Sequence, residues 1–302
     1  MLELDFAYFS LINYEKKGLA ARKSFLEMLT PIFFKPRLER LIEIRDIEAK
    51  GCNIIVPLGQ GNFNALNRNL QENLVSKSLN IINDYNIHYM AVDRNLKQYL
   101  QKLAAEFSLV FGDNFIKALT NVIIAETLSQ HEMQKIVVIG EIEGFEEFLE
   151  VVASYELPLS IQNYNPRDYE IMSYRMLYER GCAISNSYIT PKDWEPGDMI
   201  VNLNQDEGQL TVGSPSLCYF EFTNNQINMA PRLEESLRNS GINPGIHSLA
   251  PILETCLLTK AGFSGYNEEH KEANETTGQS FLQLQEAGEK LGLWELFLDK
   301  GF

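Results

Sequence analysis

The chain has 302 residues, of which 45% are hydrophobic and 22% charged, so it is long enough for two domains of an ordinary globular protein. Its formal net charge of −15 at pH 7 argues against a nucleic-acid or anionic-membrane partner. No basic N-terminal start, membrane-length apolar run or metal-ligand spacing is present, so we expect a cytoplasmic protein with reduced cysteines and no metal.

The first part of the chain alternates predicted strands and helices. Strands are predicted at 4–12, 53–56, 87–92 and 109–111. Helices are predicted at 15–28, 37–50, 63–82 and 94–107. Together these elements predict an N-terminal α/β lobe over residues 1–111.

The middle of the chain continues the alternation. A helix from 113 to about 128 leads to a short apolar strand at 136–139, and further strands are predicted at 159–162, 182–185 and 199–203, with a late pair at 217–222 and 226–229. Such alternation implies right-handed crossovers and a parallel sheet. We therefore predict a Rossmann-type, nucleotide-binding-like domain over residues 112–246.

The end of the chain is predicted to be mostly helical. Helices are predicted at 248–260 and 276–293, with a loop at 263–268 between them. The predicted fold class is α/β: two lobes around a cleft, the second with a Rossmann-type parallel sheet, and C-terminal helices over 247–302 that pack back on the cleft.

The strand at 136–139 is followed by a glycine and then a helix, which is the setting of the G-x-G-x-x-G dinucleotide motif. Gly140 takes the first glycine position, Ile142 and Phe145 take the second and third, and Gly144 does not restore the pattern. We predict that Gly140, Glu141 and Gly144 form an atypical cofactor-binding turn.

The atypical turn is rich in carboxylates, which occur at Glu141, Glu143, Glu146 and Glu147. A helix N-terminus attracts anions, so these carboxylates can take the place of a phosphate. A pyrophosphate would meet like charge, at a cost of about 1 kcal/mol per pair at 4 Å in water and about 4 kcal/mol near a surface.

Asn163 and Arg167 follow the second strand of the predicted Rossmann domain, where the adenosine ribose is usually bound. An acidic residue there favours the unphosphorylated cofactor and an arginine the phosphorylated one. The strand ends in amides, and Arg167 comes slightly later, which is compatible with NADP. The alternative is a solvated arginine beside Asp168 at a helix start.

Gly112 and Asn114 stand between a strand end and a helix, where open α/β sheets place ligands. The same side chains can simply cap the helix, so ligand contact and capping both remain open. Gly59 and Gly61 follow another strand. They could bring backbone N–H groups close to a ligand or only allow a tight turn at the end of the strand.

Several segments together carry a family resemblance: KGCNIIVPLGQGNFNAL, FGDNFIKAL, KIVVIG, APILETCLLTKAGFSGYNEEHKEA and QLQEAGEKLGL. They resemble the long-chain acyl-carrier-protein reductases and their amino-acid-dehydrogenase-like relatives, and more distantly the shikimate dehydrogenases. The resemblance covers about 50–293. It implies an N-terminal α/β lobe, a Rossmann-type domain, closing C-terminal helices and an NADP or NAD cofactor.

The sequence departs from both families at the catalytic positions. Pro251 stands where the reductases place their acyl-accepting cysteine, so a thioester mechanism of that type is not expected. Cys256, five residues on, is rotated about 140° around a helix from that position. The segment NIIVPLGQ also lacks the lysine of the shikimate dehydrogenases, and the catalytic residues stay unassigned.

Three functions are compatible with these observations. The first is an NAD(P)-dependent oxidoreductase with an atypical glycine turn, acting on a small carbonyl or hydroxy compound. The second is a catalytically degenerate relative that binds a nucleotide or metabolite as a sensor or accessory protein. The third is an interaction protein without a ligand. The expected partner is a small molecule, and a homo-oligomer is compatible with the composition.

Overall fold

The computed structural model describes residues 4–18, 22–83, 85, 87–203, 218–222, 228–262 and 281–298. The chain forms two compact units: unit 1 comprises Met1–Phe115 and Met229–Asp299, and unit 2 comprises Ile116–Asn228 and Lys300–Phe302. The boundary at 115/116 falls inside helix α6, Asp113–Gln130. The predicted domain division at 111/112 and 246/247 stays a prediction.

Unit 1 contains a five-stranded sheet and most of the helices. Its strands are β1 (Phe6–Leu11), β2 (Arg37–Ile44), β3 (Ala49–Val56), β4 (Met90–Val92) and β5 (Leu109–Val110). Its helices are α1 (Lys23–Phe33), α2 (Gln60–Ala65), α3 (Arg68–Asn83), α4 (Lys97–Leu100), α5 (Ala104–Phe107), α9 (Pro231–Asn239), α10 (Ile246–Lys260) and α11 (Phe281–Lys290).

The sheet of unit 1 has the order β2-β3-β1-β4-β5. All neighbours are parallel except β2 and β3, which form an antiparallel pair. Alternate side chains of β1, such as Phe9, join a buried core with those of β3 and β4, and α10 packs against β1 and β4.

The predicted helix at 37–50 is wrong, because this segment forms β2 and the start of β3. The register of the pair shifts between Leu38 and Arg40, and beyond the shift Ile42 and Ile44 are buried at a strand spacing of two. Such a shift breaks the strict alternation expected of a strand. Leu38, Leu41 and Ile42 then fall at the spacing of a helix face, which explains the wrong prediction.

Unit 2 contains a fully parallel sheet flanked by helices. Its strands are β6 (Lys135–Ile139), β7 (Leu159–Asn163), β8 (Ile184–Tyr188), β9 (Asp198–Asn202) and β10 (Cys218–Glu221), and its helices include α7 (Phe145–Ala153) and α8 (Glu170–Arg180). The order β10-β9-β6-β7-β8 reads 5-4-1-2-3 along the chain, which is the Rossmann strand order 3-2-1-4-5-6 read from the other edge and without its sixth strand.

This topology confirms the α/β class and the Rossmann-type parallel sheet. The first of the two predicted late strands is present as β10, which pairs in parallel with β9. The predicted turn at 224–225 and the start of the second strand lie outside the described residues, so the late pair itself stays a prediction. The predicted loop at 263–268 also lies outside them. Helix α9 was not predicted from the sequence; Leu233 and Leu237 are its buried residues, four apart.

Candidate functional site

The candidate cofactor site is the carboxyl edge of the sheet in unit 2. The strand order reverses between β6 and β9, and open parallel sheets bind ligands beyond their carboxyl ends at such a point. Gly140 directly follows β6, and its N–H donates to Gln162 O at 3.1 Å. Gly140 and Asn163, the last residue of β7, are therefore neighbours at this edge.

The turn after β6 keeps the backbone form of a glycine turn without the motif. Gly140 has φ +82° and Gly144 has φ +69°, a region that disfavours other residues. Ile142, at the second motif position, is only 6% exposed, so its side chain is buried rather than directed toward solvent. The residue that replaces the second glycine is therefore a buried apolar one.

The carboxylates of this turn are engaged by side chains of unit 2. Glu141 accepts a hydrogen bond from the Tyr169 hydroxyl, and Glu146 accepts one from Arg175. Burial, followed by this bond to Glu141, raises the pKa of Tyr169 well above its usual value. The charge of the turn is thus partly balanced by its own unit, which the sequence did not indicate.

A lysine from α6 adds positive charge beside the turn. Lys117 is 3% exposed, and its Nζ lies 3.7 Å from Glu147 Oε2. A Cβ at Gly144 would come within 2.8 Å of the same Nζ, so Gly144 leaves room for this ammonium group. The turn therefore has a buried cation at the start of α7.

Tyr169 covers part of the turn. Its ring packs edge-on against Phe145, with centroids 5.8 Å apart and an interplanar angle of 78°. Its hydroxyl bonds Glu141 at the other end of the turn. One tyrosine thus spans the turn from its first carboxylate to the residue at the third motif position.

Asn163 has the least satisfied side chain of the candidate site. It is 6% exposed, and among the described residues neither its Nδ2 nor its Oδ1 has a hydrogen-bond partner. A buried amide without partners costs about 1–3 kcal/mol. The amide lies at the end of the second strand of the Rossmann half, where the adenosine ribose is bound in such folds.

Arg167 lies in a 3-10 turn, Pro166–Tyr169, that leads into α8. Its side chain is exposed, and the part of the chain that the structure describes offers it no ion-pair partner. Asp168 instead accepts a hydrogen bond from Asn165 at 2.7 Å. Arg167 is thus close in sequence to Asn163 and available to an anion.

Gly112 and Asn114, the other two predicted site residues, belong to unit 1 and are used for packing. A Cβ at Gly112 would lie 2.6 Å from the backbone of Ala250 and Pro251. Asn114 Nδ2 donates to Glu254 Oε1 at 3.4 Å, and the Phe115 N–H donates to Glu254 Oε2 at 3.0 Å. The start of α6 is therefore capped by a glutamate of α10.

Asp113 joins a buried charge cluster at the carboxyl edge of unit 1. Lys97 donates to its Oδ2 at 2.6 Å, and Arg94 Nη1 lies 3.2 Å from its Oδ1 as an ion pair without hydrogen-bond geometry. Arg94 Nη1 also donates to Phe111 O at 2.9 Å. Burial raises the pKa of Asp113, but the charges of Arg94 and Lys97 outweigh it and hold the pKa below its usual value.

The glycine loop after β3 is filled by the chain itself. Glu15 Oε1 accepts from the Gly61 N–H at 2.6 Å, and Glu15 Oε2 accepts from the Asn62 N–H at 2.9 Å. A carboxylate thus binds the N–H groups that the sequence offered to a ligand. The alternative interpretation, that these glycines only allow the chain to turn at the end of β3, therefore fits the loop better.

The sequence did not single out Lys117, Tyr169 or Lys97. Lys97 and Arg94 are three residues apart after a strand, a visible pair of cations, but their partner Asp113 is distant in the sequence. Lys117 and Tyr169 reach the turn only through tertiary packing. No local pattern in the sequence could have located them there.

Two solved structures are similar to the chain over 96% of its length. One is L-tryptophan dehydrogenase from Nostoc punctiforme, with 14% identity, 82% of that chain covered and a TM-score of 0.45. The other is a chorismate mutase/shikimate 5-dehydrogenase fusion protein from Clostridium acetobutylicum, with 13% identity, 100% of that chain covered and a TM-score of 0.36.

These matches are to an amino-acid dehydrogenase and a shikimate dehydrogenase fusion, and they give no support to the resemblance to acyl-carrier-protein reductases. No protein-family model and no curated protein sequence matches the chain. Within the described ranges, no group of three histidine, cysteine or acidic side chains could hold a metal ion, and no helix is long and apolar enough to cross a bilayer.

Proposed function

We propose that unit 2 binds a nicotinamide dinucleotide at the carboxyl edge of its sheet, and that the chain is an NAD(P)-linked oxidoreductase acting on a small carbonyl or hydroxy compound. The observation that carries the proposal is the buried, unpartnered amide of Asn163. Its position at the end of the second strand corresponds to the ribose position of a Rossmann unit.

A ribose would satisfy Asn163. An amide offers two donors and an acceptor, and the hydroxyls of a ribose can both donate and accept. Since a buried amide without partners is costly, a ligand that supplies them gains binding free energy at this position. Solvated surface amides carry no such requirement, which distinguishes Asn163 from the exposed Asn165 two residues later.

The turn supports a pyrophosphate better than its sequence suggests. Glu141 and Glu146 are held by Tyr169 and Arg175, and Lys117 lies beside Gly144. The carboxylate of Glu146, which is paired with a cation, repels a phosphate less than a free one, and a buried ammonium attracts it. We therefore assign Gly140, Gly144, Lys117 and Asn163 to the dinucleotide, whose nicotinamide would supply the hydride acceptor or donor.

The test is a thermal-shift and calorimetric titration with NADH, NADPH and ADP-ribose. A ligand at 100 times its dissociation constant adds about 2.7 kcal/mol of stability, which is a shift of several degrees. Asn163→Leu should remove the shift, and Asn165→Ala, a change to an exposed neighbour, should keep it. If none of the three ligands shifts the wild type at millimolar concentration, the proposal is wrong.

A second candidate, a relative that binds the nucleotide without turnover, is favoured by one observation. Tyr169 contacts both Phe145 and Glu141 and so covers part of the turn that the dinucleotide would use. Nucleotide binding without NAD(P)H oxidation or NAD(P) reduction, across a panel of 2-oxo acids, aldehydes and hydroxy acids, would favour this candidate over the oxidoreductase.

A further inference from the structure

Helix α8 has an apolar face that nothing in the described part of unit 2 covers. Ile171, Tyr174 and Tyr178 are 82%, 61% and 82% exposed, and their spacing of three and four residues places them on one side of the helix. We name this surface the outer α8 face. Met176, on the opposite side, is fully buried.

Neighbouring α7 contacts α8 but leaves this face exposed. Arg175 pairs with Glu146, and Arg180 pairs with Glu150 at 3.2 Å, so two ion pairs join α8 to α7. Arg175 is four residues from Ile171 and three from Tyr178, so its ion pair borders the outer α8 face, whose apolar side chains nevertheless stay exposed. Exposed apolar groups clustered in this way mark interaction sites more often than single ones do.

Strand β8 adds a second feature on the same side of unit 2. It ends the five-stranded order of the described sheet, and its sequence ISNSY contains no lysine, proline or other residue that protects an edge from pairing. An unprotected edge can pair with a strand of another chain. Since α8 contacts β8, the helix that carries the outer α8 face is a neighbour of this edge strand.

We propose that the chain forms a two-fold dimer in which β8 pairs antiparallel with β8 of a second copy and the two α8 helices pack against each other. Strands in a sheet lie about 4.8 Å apart. A crossover helix lies over the groove between the strands that it connects, so α8 would stand about half a strand spacing inside β8. The two α8 helices would then be about 10 Å apart, close to the 8–10 Å at which helices pack.

Tyr188 enlarges the proposed interface. Asn186 Nδ2 donates to Pro166 O at 2.6 Å, which shows that the even-numbered side chains of β8 lie on the α8 side of the sheet. Tyr188 shares that side and is 62% exposed. An aromatic side chain buries about 150–250 Å². Three tyrosines with Ile171 thus offer on the order of 600 Å² per copy, near the roughly 800 Å² per partner of a standard interface once the paired strands are added.

The test is sedimentation equilibrium of the full chain at up to about 100 μM, well above the Kd of a micromolar dimer. We expect the wild type to dimerise and Tyr178→Lys, at a largely exposed position, to raise the dimer Kd at least about 10-fold. The control is Ile32→Lys on α1, an exposed apolar residue of unit 1, 64% exposed, which should leave the Kd unchanged.

A cross-link tests the geometry independently of stability. In a Cys182→Ser background and with a mild oxidant such as diamide, Tyr174→Cys should form a disulfide with the same position of the second copy, because position 174 lies midway along the outer α8 face, near the two-fold axis. Ile32→Cys should not. The proposal is wrong if the wild type is monomeric, which would mean that something other than a second copy covers this face. It is also wrong if Tyr178→Lys leaves the dimer intact.

Discussion

Gly112 and Pro251 approach each other so closely that a Cβ on Gly112 would lie 2.6 Å from Pro251 N. Gly112 has φ +84°, so a substitution there is strained in the backbone as well as crowded. Pro251 is thus part of a close contact between a strand end and α10. We attribute a packing role to both residues.

Gly112→Ala should lower the free energy of unfolding by about 2–4 kcal/mol, combining about 1–2 kcal/mol of backbone strain with overpacking. The measurement is urea unfolding followed by circular dichroism. Gly262→Ala is the matched control, since Gly262 also lies in unit 1, has φ +69° and has no atom within 4 Å of the added Cβ. In Gly262→Ala the free energy of unfolding should fall only by the backbone strain. Equal losses in the two variants would contradict the close contact at Gly112.

Asp113→Asn should lower the free energy of unfolding by about 3–5 kcal/mol at pH 7, because it leaves Arg94 and Lys97 buried without a counter-charge. Glu234→Gln, which removes an exposed ion pair with Arg238, should cost about 0.5 kcal/mol or less. The measurement is urea unfolding of each variant. A loss as small as the control's would mean that the cluster does not stabilise unit 1.

The contribution of the Asp113 carboxylate to the free energy of unfolding should depend on pH. The folded pKa of Asp113 lies below its unfolded value, which is about 3.9. The stabilisation by the carboxylate is therefore complete above pH 3.9 and is lost as the pH falls through the folded pKa. The difference between wild type and Asp113→Asn should stay constant from about pH 7 to 5 and shrink below about pH 4. A difference that grows at low pH would contradict this sign.

The Rossmann-type sheet could be predicted because its strands are short, apolar and separated by helices, so local pattern and final structure agree. β2 could not be predicted, because its register shift near Leu38 interrupts the alternation of a strand and leaves its apolar residues at the spacing of a helix face. The candidate site was predicted where it follows strand ends, as at Gly140 and Asn163. The sequence did not predict the site residues that come from distant segments, because no local pattern links Lys117 or Tyr169 to the turn.

The capping alternatives illustrate the same limit. Gly61 and Asn114 both lie beside N–H groups at helix starts, and the sequence could not tell a ligand from a cap. The structure gives each helix start a glutamate from elsewhere, Glu15 in one case and Glu254 in the other. Whether an N–H group binds a ligand or a carboxylate depends on long-range contacts that periodicity does not encode.

Asn163→Leu should leave the free energy of unfolding unchanged or raise it by about 1 kcal/mol, because it replaces an unpartnered buried amide with an apolar group of similar size. Asn202→Leu is the control. Asn202 ends the neighbouring strand β9, but its Nδ2 donates to Tyr219 at 3.0 Å, so this variant should lose about 1 kcal/mol. A larger loss for Asn163→Leu than for Asn202→Leu would mean that Asn163 is already satisfied in the free protein.

The thiols should react in an order set by their surroundings. Burial raises the pKa of Cys52 to about 11 and the pKa of Cys256 well above its usual value. At pH 8 about one Cys52 thiol in a thousand would be ionised, and the thiolate is the reactive form. Iodoacetamide should therefore modify the partly exposed Cys182 and Cys218 first.

An acyl thioester should likewise leave no covalent adduct on the native chain. Pro251 has no nucleophile, and the nearby Cys256 is buried in α10. Intact mass after incubation, with a denatured sample as the positive control, gives the answer. An acyl group mapped to Cys256 would contradict this prediction and would support a thioester mechanism.

Glu141→Gln should raise the affinity for NADH about 5-fold if the carboxylate repels the pyrophosphate, since one like-charge pair at 4 Å in water is worth about 1 kcal/mol. The amide can still accept from the Tyr169 hydroxyl, so the turn should keep its shape. Glu150→Gln, at the far end of α7, is the control and should leave the affinity unchanged. The effect should fade with added salt, because salt screens exposed charges. An affinity that rises equally in both variants would point to net charge, and an unchanged affinity in Glu141→Gln would assign the discrimination to the geometry of the turn.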